Sequence, residues 1–156
     1  MNIDVTLRVN GEAVSASIPA RLHLIDFLRE KLDLTGSHAG CEHGVCGACT
    51  IRVDGDAVRG CLVLAAACEG ADVWTIEGLH ETGEIAALQA AFLARNALQC
   101  GFCTSGMLVA AAELLRDDPR PSREKIRDHM SGNYCRCTGY HAIVDAIETV
   151  GAGSLT

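Results

Sequence analysis

Aromatic residues are scarce. Three Phe, two Tyr and one Trp make up 4% of the 156 residues, so a core has to come mainly from Ala, Leu, Ile and Val. Proline is scarcer still, three residues against sixteen Gly, which excludes a Pro-rich linker and points to tight backbone turns. No apolar run approaches the roughly 20 residues that a membrane helix requires. The N-terminal segment alternates charge with hydrophobe instead of placing a basic stretch before an apolar one, so no export signal is read. Positive charge is in the minority, 13 Lys and Arg against 20 Asp and Glu for a net charge of -7, and this disfavours nucleic acid, whose phosphates call for a positive surface. With 49% hydrophobic and 21% charged residues, the expectation is a soluble cytoplasmic protein of one ordinary domain or two small ones.

Cysteine is the residue in excess, with nine in the chain. Thiols in a reducing compartment are not kept as structural disulfides, so this density points to thiolate ligands.

Ile3, Val5, Leu7 and Val9 alternate with Asp4, Thr6 and Arg8, the period of a half-buried strand. Asn10-Gly11 has the turn chemistry of a two-residue hairpin, and Val14, Ala16 and Ile18 resume the alternation. Leu24, Ile25, Leu28 and Leu32 then predict one amphipathic helix. The Gly- and Cys-rich segment 36–49 has no usable period and reads as a loop shaped by ligands. Ile51, Val53, the Asp54-Gly55 turn, Val58, Leu62 and Leu64 predict a second hairpin, and Val73, Trp74 and Ile76 one more strand. After Gly78 four segments carry helical spacing, around Ile85–Phe92, Met107–Leu115, Ile126–Met130 and Tyr140–Val150. Ser122 is placed to cap the third, Gly151 and Gly153 to end the fourth, and the last few residues are expected to be loose. The fold class is therefore α+β, with a mixed domain over 1–78 and a helical domain over 79–156.

Eight of the nine Cys form two sets of four, one in each proposed domain. Cys41, Cys46 and Cys49 are spaced C-x4-C-x2-C, the plant-type [2Fe-2S] pattern, and Cys61 follows across the hairpin turn. Gly40, Gly44 and Gly47 would let the chain wrap closely and point backbone N–H groups at sulfur. The second set is Cys100 and Cys103, then Cys135 and Cys137, each pair just ahead of a helix predicted to start near Thr104 or Thr138. Both helix N-termini would then face one negatively charged centre and favour it. Phe102, Tyr134 and Tyr140 stand beside these ligands, where they could screen the site from water. Four Cys also make a closed zinc site, but C-x-C is unusual for zinc and the x4, x2 spacing belongs to ferredoxins. Cys68 is left without a partner and reads as a small packed hydrophobe.

His38 and His43 flank the first ligand and read as loop residues, because four Cys already complete that set. His23, His80, His129 and His141 show no metal-ligand spacing. No Ser-His-Asp set, Walker loop or dinucleotide fingerprint can be assembled, and Gly101 and Gly106 read as tight turns. The chain has no candidate catalytic residue of its own.

The runs GSHAGCEHGVCGACT (36–50), QCGFCTSGM (99–107) and SGNYCRCTGY (131–140) resemble the small iron-sulfur subunit of the molybdenum hydroxylases, the xanthine oxidase and carbon monoxide dehydrogenase family. TIEGL (75–79) matches that family's usual link between domains. The resemblance implies a β-grasp ferredoxin-like N-terminal domain and a C-terminal four-helix domain, each with one [2Fe-2S] cluster. It implies a large molybdopterin subunit and a medium FAD subunit as partners, in a dimer of heterotrimers. Electrons would run from molybdenum through the Cys100, Cys103, Cys135, Cys137 centre to the Cys41, Cys46, Cys49, Cys61 centre and then to FAD. Gln99 matches a position that hydrogen-bonds the pterin, and Cys137 matches the ligand nearest it. The chain departs from the pattern at Ser105, where Pro is common, and at Gly60, where Ser is common; the Ser105 hydroxyl is expected to cap the helix instead. The alternative is a stand-alone two-cluster ferredoxin acting as a diffusible carrier.

Overall fold

Asn10 and Gly11 take φ of 51° and 86°, the left-handed values that a two-residue turn between twisted strands demands. They join β1 (Asn2–Val9) to β2 (Glu12–Pro19) with Val9 opposite Glu12. Asp54 and Gly55, at 50° and 95°, do the same between β3 (Thr50–Val53) and β4 (Asp56–Arg59). The short β5 (Asp72–Trp74) lies between the hairpins, parallel to β1 and antiparallel to β3, which gives the order β2-β1-β5-β3-β4. These are features of a computed structural model, which describes residues 1–153. The expectation for the last residues falls outside that range.

Between the hairpins, α1 (Leu24–Asp26) widens at once into a π-helical turn over Phe27–Lys31. The sequence predicts one regular amphipathic helix here. Instead Leu24, Ile25, Phe27 and Leu28 are all buried, and Asp33 at φ 57° ends the segment as Leu34 N–H donates to Leu28 O at 2.9 Å. This face covers Val5, Leu7, Ile18 and Ile51 of the sheet. The second hairpin is shorter than its pattern: Leu62 and Leu64 lie beyond β4 and are exposed. A 3-10 turn, Ala65–Cys68, buries Cys68 in this core as expected, and its Sγ–H donates to Leu64 O at 3.7 Å.

Ile76 opens a helix rather than extending β5. The helices after the sheet are α2 (Ile76–Glu81), α3 (Ala86–Ala94), α4 (Thr104–Asp117), α5 (Arg123–Met130) and α6 (His141–Gly151). α2 goes unseen in the pattern because Gly78 reads as a break. That glycine answers to packing instead: a Cβ there would lie 2.3 Å from Asn10 Oδ1, which accepts from Thr75 N–H at 2.9 Å and so ties the first turn to this segment. Ser122 caps α5 as expected, accepting from Lys125 N–H at 3.2 Å, a bond of the kind that is worth about 1 kcal/mol. The second core gathers Leu79, Ile85, Phe92, Met107, Ile126 and Ile147, and Ala110, Ala111 and Ala112 keep the buried flank of α4 thin. With only two Phe in the cores, the aliphatic composition forecast from the scarcity of aromatics holds.

Candidate metal centres

The loop from Gly36 carries Cys41, Cys46 and Cys49, and the β3–β4 hairpin folds Cys61 back beside Cys49. Gly60 N–H donates to Cys49 O at 3.1 Å, while Gly60 O accepts from Ile25 N–H at 3.1 Å. A Cβ on Gly60 would already stand 3.2 Å from Cys49 O and 3.3 Å from Ile25 Cβ, so the departure to Gly suits the crowding at this point. Cys49 and Cys61 are buried against Ile25 and Ala39, while Cys41 and Cys46 are half-buried. Gly40 comes close enough that a Cβ would meet Cys46 Sγ at 3.1 Å. Cys46 N–H donates to Cys41 Sγ at 3.3 Å. That bond, with one from the His43 backbone, brings the Cys41 thiol down to about 6 and favours the thiolate, the form a metal would need. Burial, with the neighbouring Cys61 thiol, pushes Cys49 up to about 11.

The second set is collected from two loops. Cys103 immediately precedes α4, and its carbonyl accepts from Met107 N–H at 3.0 Å, so that helix N-terminus stands at the site as predicted. The other helix starts later than expected. Gly139 and Tyr140, at φ 65° and 68°, delay α6 to His141, four residues past Cys137. Cys135 Sγ instead receives Thr138 N–H at 3.4 Å and lies 3.1 Å from Thr138 Oγ1. Burial opposes ionisation of Cys135, yet these two bonds bring its thiol below the ordinary value. Burial, helped by Cys135, pushes Cys103 up to about 12.

Cys100 and Cys137 Sγ lie 3.6 Å apart. Two sulfur atoms on one tetrahedral metal at about 2.3 Å each would be separated by roughly 3.7 Å, so this pair is spaced to share an iron. Cys103 and Cys135 form the inner pair, half-buried, whereas Cys100 and Cys137 are exposed. Gln99 stands at this outer edge, donating from Nε2 to Cys137 O at 2.9 Å. Four Cys in each set, backbone N–H groups on Cys41 and Cys135 Sγ, and Gly40 passing close to Cys46 Sγ suit a diiron centre at each site.

Phe102 and Tyr134 do not enclose the second site; they are 46% and 55% exposed. Phe102 leaves it to stack on His38, ring centroids 4.7 Å apart, and its carbonyl is 2.8 Å from His38 Nδ1. His38 is thus more than a loop residue, since it joins the first loop to the second. Tyr140 is turned inward, its hydroxyl donating to Asn133 O at 3.0 Å and accepting from Cys135 N–H at 2.9 Å. Ser105 is buried and does not cap α4, its hydroxyl having no partner among the described residues. Gly101 is a positive-φ turn at 80°, but Gly106 lies within α4, where a Cβ would stand 2.2 Å from Gly47 O. The reason for that glycine is close approach rather than a turn.

The loops that carry the two sites meet. Tyr134 N–H, one residue before Cys135, donates to Cys46 O at 2.8 Å. Around this bond lie residues that the motif reading left without a role. Asn133 Nδ2 donates to Gly47 O at 3.0 Å and to Thr50 Oγ1 at 3.3 Å, and Arg59 reaches Thr50 Oγ1 at 2.5 Å and Gly132 O. The only signal for Asn133 was its place inside the motif at 131–140; Arg59 carried none.

Comparisons with known proteins agree with two sites. Residues 7–73 match the family described as "2Fe-2S iron-sulfur cluster binding domain", and residues 75–148 the family described as "[2Fe-2S] binding domain". The nicotine 6-hydroxylase small subunit of Paenarthrobacter nicotinovorans is 50% identical over 93% of this chain and 87% of its own. The caffeine dehydrogenase subunit gamma of Pseudomonas sp. strain CBB1 is 49% identical over 94% and 89%. In the crystal structure of quinoline 2-oxidoreductase from Pseudomonas putida 86, one chain superposes with a TM-score of 0.92 at 46% identity, covering 98% of this chain and 94% of that one.

Proposed function

The chain belongs to the small [2Fe-2S] iron-sulfur subunits of the molybdenum hydroxylases, the xanthine oxidase and carbon monoxide dehydrogenase family, and on that premise we propose which residues hold its clusters and how it is wired. Cys41, Cys46, Cys49 and Cys61 hold one cluster, and Cys100, Cys103, Cys135 and Cys137 hold the other, with Cys100 and Cys137 on one iron. The expected division at residues 78 and 79 would cut α2, so we place it just before that helix, near residues 74 and 75: a β-grasp unit followed by a four-helix unit of α3 to α6 led in by α2. The meeting of the two family matches at 73 and 75 supports this division, as do the two separate cores, with Leu79 in the second.

Each cluster, when bound, takes up and releases one electron at a time, which suits transfer from a molybdopterin centre in a large subunit by way of the second site and the first to FAD in a medium subunit. The chain's own residues orient that path. The observation that carries the reading is the Tyr134 N–H to Cys46 O bond, which links the ligand loops of the two sites in one step. Exposure of Cys100 and Cys137 leaves one edge of the second site open to a partner, with Gln99 beside it to meet the pterin. At the first site Cys41 and Cys46 are the less buried ligands and face outward to the FAD partner. The assembly is a cytoplasmic dimer of heterotrimers. The similar chains come from enzymes named for nicotine, caffeine and quinoline, all nitrogen heterocycles, which supports an N-heteroaromatic substrate for the large subunit; an aldehyde is the second reading, since an aldehyde oxidoreductase iron-sulfur-binding subunit of Escherichia coli is 40% identical.

Ser substitution of any of Cys100, Cys103, Cys135 or Cys137 should remove one EPR signal from the dithionite-reduced, co-purified complex, leave the other, and stop turnover. Full activity in such a variant would remove that residue from the relay. Isolation of this polypeptide alone, with iron but no molybdenum or flavin, would favour the diffusible carrier instead.

A further inference from the structure

We propose that Asn133 and Arg59 are positioning residues that clamp the two cluster loops together and thereby set the rate of electron exchange between the sites. The inference rests on the two-cluster reading above. Asn133 is 2% exposed and lies two residues before Cys135. Its amide N–H groups bond Gly47 O and Thr50 Oγ1, at 3.0 and 3.3 Å, and its Oδ1 accepts from Arg59 Nη2 at 3.4 Å. Its carbonyl accepts from the Tyr140 hydroxyl, which in turn receives Cys135 N–H, so the residue is bonded toward both sites at once.

Gly47, between Cys46 and Cys49, is held on two sides. A Cβ there would fall 2.6 Å from Asn133 Nδ2, and the Gly47 carbonyl is the atom that denies Gly106 of α4 a side chain. Thr50 donates to the same carbonyl at 2.6 Å and accepts from Arg59 Nη1 at 2.5 Å. Arg59 also bonds Gly132 O, so β4 reaches across to the loop that carries Cys135 and Cys137. No buried side-chain nitrogen or oxygen of Asn133, Thr50 or Arg59 is left without a partner, and none of these residues is a proposed ligand. Its geometric effect is to hold the Tyr134 N–H, one residue before Cys135, on the carbonyl of Cys46, itself a proposed ligand. Buried, fully bonded polar networks of this kind fix one arrangement of the groups they join.

The test is N133A and R59Q in the co-purified complex, each assayed for iron, for the two cluster EPR signals, and for the rate at which one injected electron equilibrates between the clusters after a reducing pulse. Both signals and the full iron content should persist while the equilibration rate falls by about tenfold or more, the scale on which ångström misplacements cost rate. N133D, which keeps the shape but loses the donor to Gly47 O, should behave as N133A does. Unchanged equilibration in a variant with both signals intact overturns the clamp. If N133A loses a cluster, R59Q decides, because it leaves the Asn133 contact with Gly47 in place. A parent complex with fewer than two signals would instead defeat the two-cluster reading.

Discussion

At the scale of single residues, the glycines separate into those that turn the chain and those that admit a neighbour. Gly11 and Gly55 have positive φ and open space or a distant contact at the Cβ position. Gly106 has helical backbone, and its absent side chain makes room for Gly47 O at 2.2 Å. Because backbone rather than a flexible side chain stands in the way, G106A should destabilise the protein by roughly 1–3 kcal/mol, the usual cost of overpacking. Denaturant unfolding of the holoprotein checks this, and an unchanged midpoint would contradict it. Gly60 is less crowded, with its nearest atoms at 3.2 Å, so G60S should cost under about 1 kcal/mol in the same measurement.

Among the elements, β3 is fastened to the loop ahead of α3 by a two-pronged pair, Arg52 Nη1 and Nη2 donating to the Glu84 carboxylate at 2.9 and 2.5 Å. The Arg52 guanidinium holds the Glu84 carboxyl below the ordinary carboxylate range. A carboxyl with a lowered folded-state pKa contributes stability in full above the unfolded value of about 4.3, and that stability is lost as pH falls through the lower folded value. The Glu84 side chain is 44% exposed, so solvent screening keeps the pair's worth to about 1 kcal/mol or less. E84Q should therefore be slightly less stable than the parent at pH 7 and indistinguishable from it once pH drops below the folded value. A deficit that persisted in acid would assign the effect to packing. The elements themselves were legible to different degrees. Both hairpin turns and α4 follow from local chemistry, whereas the π turn after α1, the exposure of Leu62 and the existence of α2 depend on which faces the rest of the chain covers.

For the whole molecule, two diiron centres require four irons per chain. Anaerobically prepared complex should give four irons with matching inorganic sulfide, while zinc without sulfide would replace the proposal with a structural metal module. The same assay on G106A tests whether the contact between α4 and the first loop supports cluster retention, which should then be partial. The seam between the two halves mixes polar and apolar contacts, including Ala57 N–H to Glu113 Oε1 at 2.7 Å, the His38–Phe102 stack, and Ala57 and Trp74 packed against the second core. It holds the two ligand loops against each other, through Tyr134 N–H on Cys46 O and Asn133 on Gly47 O.

The sequence by itself determined the grouping of eight Cys in two sets of four, the two hairpins and the helical character of the second half. Cysteine spacing, Asn-Gly and Asp-Gly turns and hydrophobic period are all local, and local chemistry survives in a linear string. Only the tertiary structure decided that Cys46 O and Tyr134 N–H touch, that Asn133 and Arg59 join the two loops, and that Cys100 and Cys137 are the exposed pair. Those facts join residues as much as 88 positions apart along the chain, from 46 to 134. Such contacts exist because two separate cores pack side by side, and nothing in the spacing of residues along one strand or helix encodes where the other core will lie.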